Sequence, residues 1–301
     1  MALSVNTNVG AMAALQSLNA TNKDLSTTQS RINSGLNVSS TKDDSAKYTI
    51  AQKLRGDLAG LGAVSSSLST AKSTTDVAVS GAEQISDVLN QMKAKATEAS
   101  DTSLTTDSRA AIAKDFVALR KQISSIIDSS SFNGTNLLKT GGGSVNALQS
   151  TDTSNTLKVD NLKLDTDVLD KITDDVGGAG ATFDAAKVFV GGGTDDPDTT
   201  GIDESTAAGA ASKMVKNIDD LSKDLSTKLS TVGAASRQID SQSTFVSKLS
   251  DSIEAGIGNI VDADLAKESA KLQALQVKQQ LGVQALSIAN QAPQTIMSLF
   301  R

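Results

Sequence analysis

Residues 214–253 have the sequence MVKNIDDLSKDLSTKLSTVGAASRQIDSQSTFVSKLSDSI, in which one apolar series recurs at intervals of seven residues. Its members are Ile218, Leu225, Val232, Ile239, Val246 and Ile253. A second series in the same frame holds Met214, Leu221, Ala235 and Leu249, with Lys228 and Gln242 between them. This heptad pattern predicts a long helix that packs along another helix, and the two polar residues are predicted to fix the register at some cost in stability.

A matching pattern lies in the N-terminal half, over residues 45–99, and no proline interrupts it. It consists of two apolar series: Leu54, Leu61, Leu68, Ala82 and Leu89, accompanied by Ile50, Val64, Ala71, Ala78, Ile85 and Met92. At 1.5 Å per residue this segment predicts one helix of about 80 Å. A third helix is expected over residues 108–127, with Ile112, Phe116, Leu119, Ile123 and Ile126 on one face. Stripes this long need partners, so we predict a mainly α fold built as a long antiparallel coiled-coil bundle from both termini.

The two ends of the chain carry a weaker version of the same pattern. Near the N-terminus Leu18, Leu25 and Ile32 recur at seven residues, with Leu15, Asn22 and Gln29 expected at the companion position. Near the C-terminus the series is Leu265, Leu272 and Leu286, with Gln279 between the last two. The polar residues mark either a docking register or an ordinary solvated helix face. Because they make an isolated end helix marginal, we expect both ends to be poorly ordered in the free monomer and to fold on assembly.

An acidic segment separates the two halves. Residues 140–204 hold thirteen Asp or Glu against four Lys, together with several glycine runs. Two alternating stretches, 157–160 and 187–190, predict short strands. We therefore expect a small outer α+β or β-rich domain over residues 141–204 that contributes no residue to either long seam. Asp196, Asp198 and Gly201 partly match a calcium loop, but Ala207 replaces its bidentate Glu, so no metal site is predicted.

The composition disfavours an enzyme. The chain contains neither Cys nor His, which removes thiol chemistry and the most common general base near neutral pH. No phosphate loop or oxyanion motif accompanies the acidic residues, so we predict no catalytic residue and no cofactor. The first residues lack the basic and apolar regions of a cleaved signal peptide, and no apolar run is long enough for a membrane span. Export, if it occurs, is expected to use another route, without membrane insertion and without a nucleic-acid partner.

Short motifs at both ends of the chain are similar to those of a known family. The N-terminal ones are Asn6-Thr7-Asn8, Arg31-Ile32-Asn33-Ser34-Gly35-Leu36, Ser40-Thr41-Lys42-Asp43-Asp44 and Phe132-Asn133-Gly134-Thr135-Asn136-Leu137-Leu138. The C-terminal ones are Asp262-Ala263-Asp264-Leu265-Ala266-Lys267-Glu268, Gln279-Gln280-Leu281-Gly282 and Ala289-Asn290-Gln291-Ala292-Pro293-Gln294. Taken in order, they resemble bacterial flagellin over roughly residues 1–140 and 205–301.

The resemblance implies a structural protein that polymerises into the flagellar filament for swimming motility. It implies an inner coiled-coil domain (1–42 plus 258–301), a middle helical domain with a β-hairpin (43–140 plus 205–257) and an outer variable domain (141–204). The implied partners are further copies of the chain, a flagellar export chaperone on the C-terminal helix, and hook-associated and cap proteins. Two alternatives stay open: a hook–filament junction protein of the same superfamily, and an adhesin or enzyme module in the insert.

Three sets of residues follow from this interpretation. The expected subunit-packing residues are Leu3, Leu15, Leu18, Leu25, Ile32, Leu265, Leu272, Leu286, Ile296 and Leu299. Lys42, Asp43 and Asp44 are candidates for subunit bridging, although acidic residues also cap a helix that starts there. The third set concerns recognition by the vertebrate innate-immune flagellin receptor. Flagellins that this receptor senses typically carry an Arg and a Leu four residues apart. This chain has Gln91 and Lys95 at those positions, and Asp115 at a nearby acidic one.

Overall fold

The computed structural model describes residues 8–170, 172, 189 and 204–299, and the side chains of residues 170, 204–207 and 292–299 are not described. Its long helices are α1 (Val9–Ser34), α2 (Ser45–Ala99), α3 (Thr106–Ser129), α4 (Glu204–Val261) and α5 (Leu265–Leu299). Two strands, β1 (Val145–Leu148) and β2 (Thr156–Val159), form an antiparallel hairpin, and a π-helical turn follows at Asp165–Asp170. The predicted mainly α fold is confirmed. Helix α2 begins and ends where the sequence predicted, at residues 45 and 99. None of the described helices has both the length and the apolar content that a membrane span requires.

Residue contacts divide the chain into two compact units. The terminal unit comprises Met1–Ala59 and Leu249–Arg301, and the central unit comprises Gly60–Lys248. Helices α2 and α4 contribute residues to both units. The expected division into inner, middle and outer domains uses different boundaries and stays a prediction.

The terminal unit has a small core next to the loops that follow α1 and precede α5. Val38, Ala51, Ile257 and Val261 are buried there. The backbone amide of Ala263 donates to the carbonyl of Gly35 over 2.9 Å, which ties the two loops together. Ile50 is wrongly predicted as a seam residue, since it is 51% exposed whereas Ala51 is 1% exposed. Ala51 is buried because it packs in the small core with Val38, Ile257 and Val261.

The central unit is held together by the predicted long seams. In α4 the five residues from Ile218 to Val246 of the first series are all buried, and in α2 Leu61, Leu68, Ala82 and Leu89 are buried. Helix α3 adds Ile112, Phe116 and Ile123. The ring of Phe116 meets that of Phe189 edge to face, with centroids 5.2 Å apart. The predicted heptad seams are therefore confirmed in this unit.

The β-hairpin packs on both long helices of the central unit. The Ser67 hydroxyl of α2 accepts from the amide of Leu148 at 3.2 Å, and Gln242 Nε2 of α4 donates to the carbonyl of Gln149 at 2.7 Å. A Cβ at Gly60 would lie 2.7 Å from Cγ2 of Thr151, so a larger residue there would require the Thr151 side chain to shift. Strand β2 confirms the predicted strand at 157–160 to within one residue. In the predicted strand at 187–190 only Phe189 is described, and it is helical.

The expectation that the insert contributes no residue to the seams is wrong for its first part. Leu162, Leu164 and Val168 are buried in the central unit. Lys228 donates to the carbonyl oxygen of Leu162 and to the carboxylate of Asp167. Lys228 and Gln242, the two polar positions of the α4 seam, thus hold the segment after α3 instead of a facing helix. The partial calcium-loop residues 196, 198 and 201 lie outside the described residues.

Candidate assembly surface

Helices α1 and α5 of the same chain pack against each other in the terminal unit. Leu18, Leu25 and Ile32 of α1 are half-buried in this contact, as are Leu272 and Leu286 of α5. A Cβ at Gly282 would lie 3.2 Å from Cδ1 of Leu18, so the two backbones approach closely. Five of the predicted packing residues therefore hold the two terminal helices of one chain together.

Three polar contacts show that the helices run antiparallel. Asn8 Nδ2 donates to the carbonyl of Ala289 at 2.7 Å, at the end of the pair formed by the chain termini. Gln279 Nε2 donates to Asn22 Oδ1 near the middle. At the other end Arg31 Nη1 lies 3.3 Å from Glu268 Oε1. Both helices thus keep one fixed register over their paired length.

The predicted companion positions of α1 are wrong. Thr21 and Thr28 are buried in the pair, whereas Leu15, Asn22 and Gln29 are exposed. The seam follows intervals of three and four residues, and from Leu18 its next step is three. The Thr21 hydroxyl donates to the carbonyl of Ser17 at 2.9 Å, which satisfies its polar atom inside the contact.

The pair leaves a large apolar surface uncovered. Eleven large hydrophobic residues are exposed among the described residues, and eight of them lie on α1 and α5. They are Val9, Met12, Leu15, Leu265, Val277, Leu281, Val283 and Ile288. Because exposed apolar side chains are concentrated on these two helices, the helices form a candidate assembly surface.

Only Leu15 and Leu265 of these eight are among the predicted packing residues. For three of the others, Val277, Leu281 and Ile288, the signal is a second apolar series on α5 that the heptad frame of Leu265 and Leu272 does not include. Leu3 lies outside the described residues. Ile296 and Leu299 lie within α5, and their side chains are not described.

Comparison with known proteins shows the family to which this chain belongs. The family model for the bacterial flagellin N-terminal helical region matches residues 5–141, and that for the C-terminal helical region matches residues 215–300. The chain belongs to the bacterial flagellins. It is 43% identical over 298 residues to Flagellin FljK of Caulobacter vibrioides, covering 99% of this chain and 98% of that protein. It is 37% identical over 298 residues to a flagellin of Brucella melitensis and 34% identical over 321 residues to Flagellin C of Rhizobium meliloti, with 99% of each chain covered.

Flagellins are the structural subunits of the extracellular flagellar filament, and that is the function of this chain. The family-like stretch 132–138 is a tight structural element in this flagellin. Asn133 and Gly134 have positive φ angles of 48° and 81° at a turn between Phe132 and Thr135, where the Asn-Gly pair is favoured. Asn136 Nδ2 donates to the carbonyl of Ile127 at 2.6 Å, which joins this turn to the end of α3.

In the Lys42-Asp43-Asp44 stretch of this flagellin, both acidic residues accept hydrogen bonds from groups of the same chain. The carboxylate Oδ2 of Asp43 accepts from the hydroxyl and the amide of both Ser39 and Ser40, at 3.0–3.1 Å. These bonds, that from the Ser39 hydroxyl above all, lower the pKa of Asp43 below its ordinary value of 3.8. Asp44 caps α2, since its Oδ1 accepts from the amide of Lys47 at 3.0 Å. Lys42 has no ion pair among the described residues.

The receptor-related residues lie on the central unit. Gln91 is exposed on α2 and Lys95 is half-buried. Lys95 Nζ lies 3.2 Å from Oδ2 of Asp115 on α3 and 3.4 Å from Oε2 of Glu98. The hydrogen bond to Asp115 is the main reason that the pKa of Lys95 is raised. The structure therefore brings two of the three residues into direct contact.

Proposed function

We propose that this flagellin polymerises through its terminal unit after passing through the flagellar export channel, and that the filament drives swimming. The observation that carries this proposal is the concentration of exposed apolar side chains on α1 and α5. In the proposal, Leu18, Leu25, Ile32, Leu272 and Leu286 hold the two helices together. Leu3, Leu15, Leu265, Ile296 and Leu299 contribute to packing between subunits. Lys42, whose charge is unpaired within the described chain, is the bridging residue of the 42–44 stretch.

The role is structural and not enzymatic. The family is structural, and a chain without Cys or His lacks the side chains on which most catalysis near neutral pH depends. The inner domain is formed by residues 1–42 and 258–301, the middle domain by 43–140 and 205–257, and the outer domain by 141–204. In this arrangement the terminal helices line the filament core and the acidic outer domain faces solvent.

Before assembly, the same apolar surface needs a cover in the cytosol. Helix α5 exposes Val277, Leu281 and Ile288, and a groove-shaped partner that binds amphipathic helices would shield them. We assign this role to the export chaperone, with hook-associated and cap proteins meeting the terminal unit at the ends of the filament. A hook–filament junction role is distinguished by copy number, because a filament subunit is abundant and a junction protein is scarce.

Electron microscopy of the purified chain under polymerising conditions tests the proposal, with hollow helical filaments as the expected result. Two truncations extend the test, one without residues 1–30 and one without residues 272–301. Each removes one member of the α1–α5 pair and leaves the central unit intact. We expect soluble, helical monomers that do not sediment after seeding. Normal pelleting of either truncated chain would show that the terminal pair is not the assembly element.

A further inference from the structure

Three buried polar atoms near one end of the α1–α5 pair have no hydrogen-bond partner among the described residues. They are the hydroxyl oxygen Oγ1 of Thr28, Nε of Arg31 and Oε2 of Glu268. Thr28 is 0% exposed and Glu268 is 9% exposed. Buried polar atoms are almost always hydrogen-bonded, because an atom buried without a partner has lost its bonds to water. Each of these three atoms therefore calls for a partner.

The three residues are neighbours in the fold. Arg31 Nη1 donates to Glu268 Oε1 at 3.3 Å, so Arg31 Nε and Glu268 Oε2 are the remaining atoms of two groups already in contact. A bidentate pair of a guanidinium and a carboxylate has a second, parallel bond, and no such bond joins these two atoms. Thr28 lies three residues before Arg31, on the same face of α1. A single partner between the two helices can thus serve all three atoms.

Thr28 differs from the other threonines of α1 in what its hydroxyl does. The hydroxyls of Thr21 and Thr27 donate to the carbonyls of Ser17 and Lys23, one turn back, at 2.9 and 3.0 Å. Such a bond satisfies a threonine within its own helix. The Thr28 hydroxyl makes no such bond, although the residue is fully buried. Its polar atom therefore needs a partner from outside α1.

We propose that one water molecule binds between Thr28, Arg31 and Glu268 and bridges the two helices. Arg31 Nε can only donate and an ionised Glu268 can only accept, whereas the Thr28 hydroxyl can do either. The water accepts from Arg31, donates to Glu268 and bonds the Thr28 hydroxyl, and three bonds are typical of a buried water. The charges of the guanidinium and the carboxylate cancel, so a neutral ligand fits the site better than an ion. The bound water completes a polar anchor at this end of the pair.

Hydrogen exchange of the full-length chain tests the site through the sign of one substitution. Thr28→Val keeps the shape of the side chain but removes the hydroxyl. If that hydroxyl holds the water, its loss weakens the anchor, and amides in the last turns of α1 should exchange roughly fivefold faster. If the hydroxyl had no partner, its removal would relieve a buried polar atom and slow the exchange. The comparison is made in whichever state the unmodified chain adopts, so it does not depend on polymerisation.

The matched control is Thr21→Val. Thr21 is also buried in the pair, but its hydroxyl is satisfied within α1, so the exchange of the same amides should change little. A crystal structure or electron microscopy map that resolves ordered water supplies the direct observation. We expect density for one water within about 3.2 Å of all three atoms. Slower or unchanged exchange in Thr28→Val, or a direct bond between Arg31 Nε and Glu268 Oε2 in that structure, overturns the proposal.

Discussion

Gln279 Nε2 donates a hydrogen bond to Asn22 Oδ1 over 2.7 Å, and this contact joins α5 to α1 near the middle of their paired length. A slide of one heptad along α5 would place Asn22 opposite Leu272 or Leu286 instead. The two side-chain amides would then lose each other as partners, and Asn22 would lie opposite an apolar side chain. The bond therefore favours the observed register from the exposed edge of the pair, since Asn22 lies outside the buried seam.

The first prediction concerns the energy of this pair. A double-mutant cycle with Asn22→Ala and Gln279→Ala should give a coupling free energy of about 0.5–1 kcal/mol, since water competes for both amides. Chemical denaturation followed by circular dichroism supplies the four unfolding free energies. The Gln29→Ala variant is the control, because Gln29 is exposed on the same helix. Strictly additive effects of the two substitutions would place the amides on an ordinary solvated face.

The second prediction separates the buried part of the insert from the rest. Replacing residues 144–202 with a Gly/Ser linker removes β1, β2 and the buried Leu157, Leu162 and Leu164. Each buried leucine contributes about 1.5–3 kcal/mol, so their combined loss approaches the whole stability of a typical domain. We expect the helices of the central unit to lose protection in hydrogen exchange.

A shorter replacement is the control for this experiment. A linker in place of residues 173–186 retains Ile172 and Phe189, both of which are buried. Loop closure depends only weakly on length, so this variant should keep the helicity and the assembly of the natural chain. A 144–202 replacement as stable as the 173–186 replacement would contradict a structural role for the hairpin.

The third prediction concerns acid. Hydrogen bonds from Ser39 and Ser40 lower the pKa of Asp43 in the folded chain. A carboxyl group with a lowered folded pKa stabilises the fold above its unfolded pKa, and this contribution is lost as pH falls through the folded value. Asp43→Asn should therefore destabilise the terminal unit at pH 7 and flatten its loss of stability below about pH 4. Thermal melts at several pH values measure this, and parallel curves for both chains would exclude Asp43 as a contributor.

The long seams could be predicted because α2 and α4 bury one regular stripe each over several heptads. Ile218, Val232 and Val246 recur at equal spacing, and an uninterrupted pattern of this kind has no good alternative to a coiled coil. The short stripe of α1 does not determine which neighbouring positions are buried beside Leu18, Leu25 and Ile32. Thr21 is polar but buried in the helix pair. Its hydroxyl donates to the carbonyl of Ser17 in the preceding turn, so its polar atom is satisfied inside the contact.

Contacts between distant segments could not be predicted from periodicity. Lys228 and Gln242 occupy seam positions, but their partners lie in the segment after α3, which a heptad frame does not describe. The same limit applies to Arg109, which is 1% exposed and donates from Nε to the carbonyl of Ala99 at 3.2 Å. A buried guanidinium at the end of α2 follows from the turn geometry between α2 and α3, and the local sequence contains no sign of it.

The last prediction is about recognition by a host. The resemblance places an Arg and a Leu of receptor-activating flagellins at positions 91 and 95, where this chain has Gln91 and Lys95. Gln91 cannot supply a planar bidentate donor, and Lys95 is held by Asp115 at 3.2 Å. A receptor that needs an apolar group there would have to bury the ammonium and break its pair with Asp115. Each loss should weaken a tight interface by roughly 1–3 kcal/mol or more, so monomers of this flagellin should activate the receptor poorly.

A reporter-cell assay with monomeric protein measures this response. The Gln91→Arg, Lys95→Leu double variant should recover signalling, because it restores both anchors and frees the Asp115 carboxylate to pair with an incoming cation. Lys93→Leu is the matched control, since Lys93 lies on the same helix and pairs instead with Asp219 of α4 at 2.6 Å. Recovery by the control as well would point to a general gain in surface hydrophobicity. Potency of the natural chain equal to that of a flagellin with both anchors would show that positions 91 and 95 do not set the response.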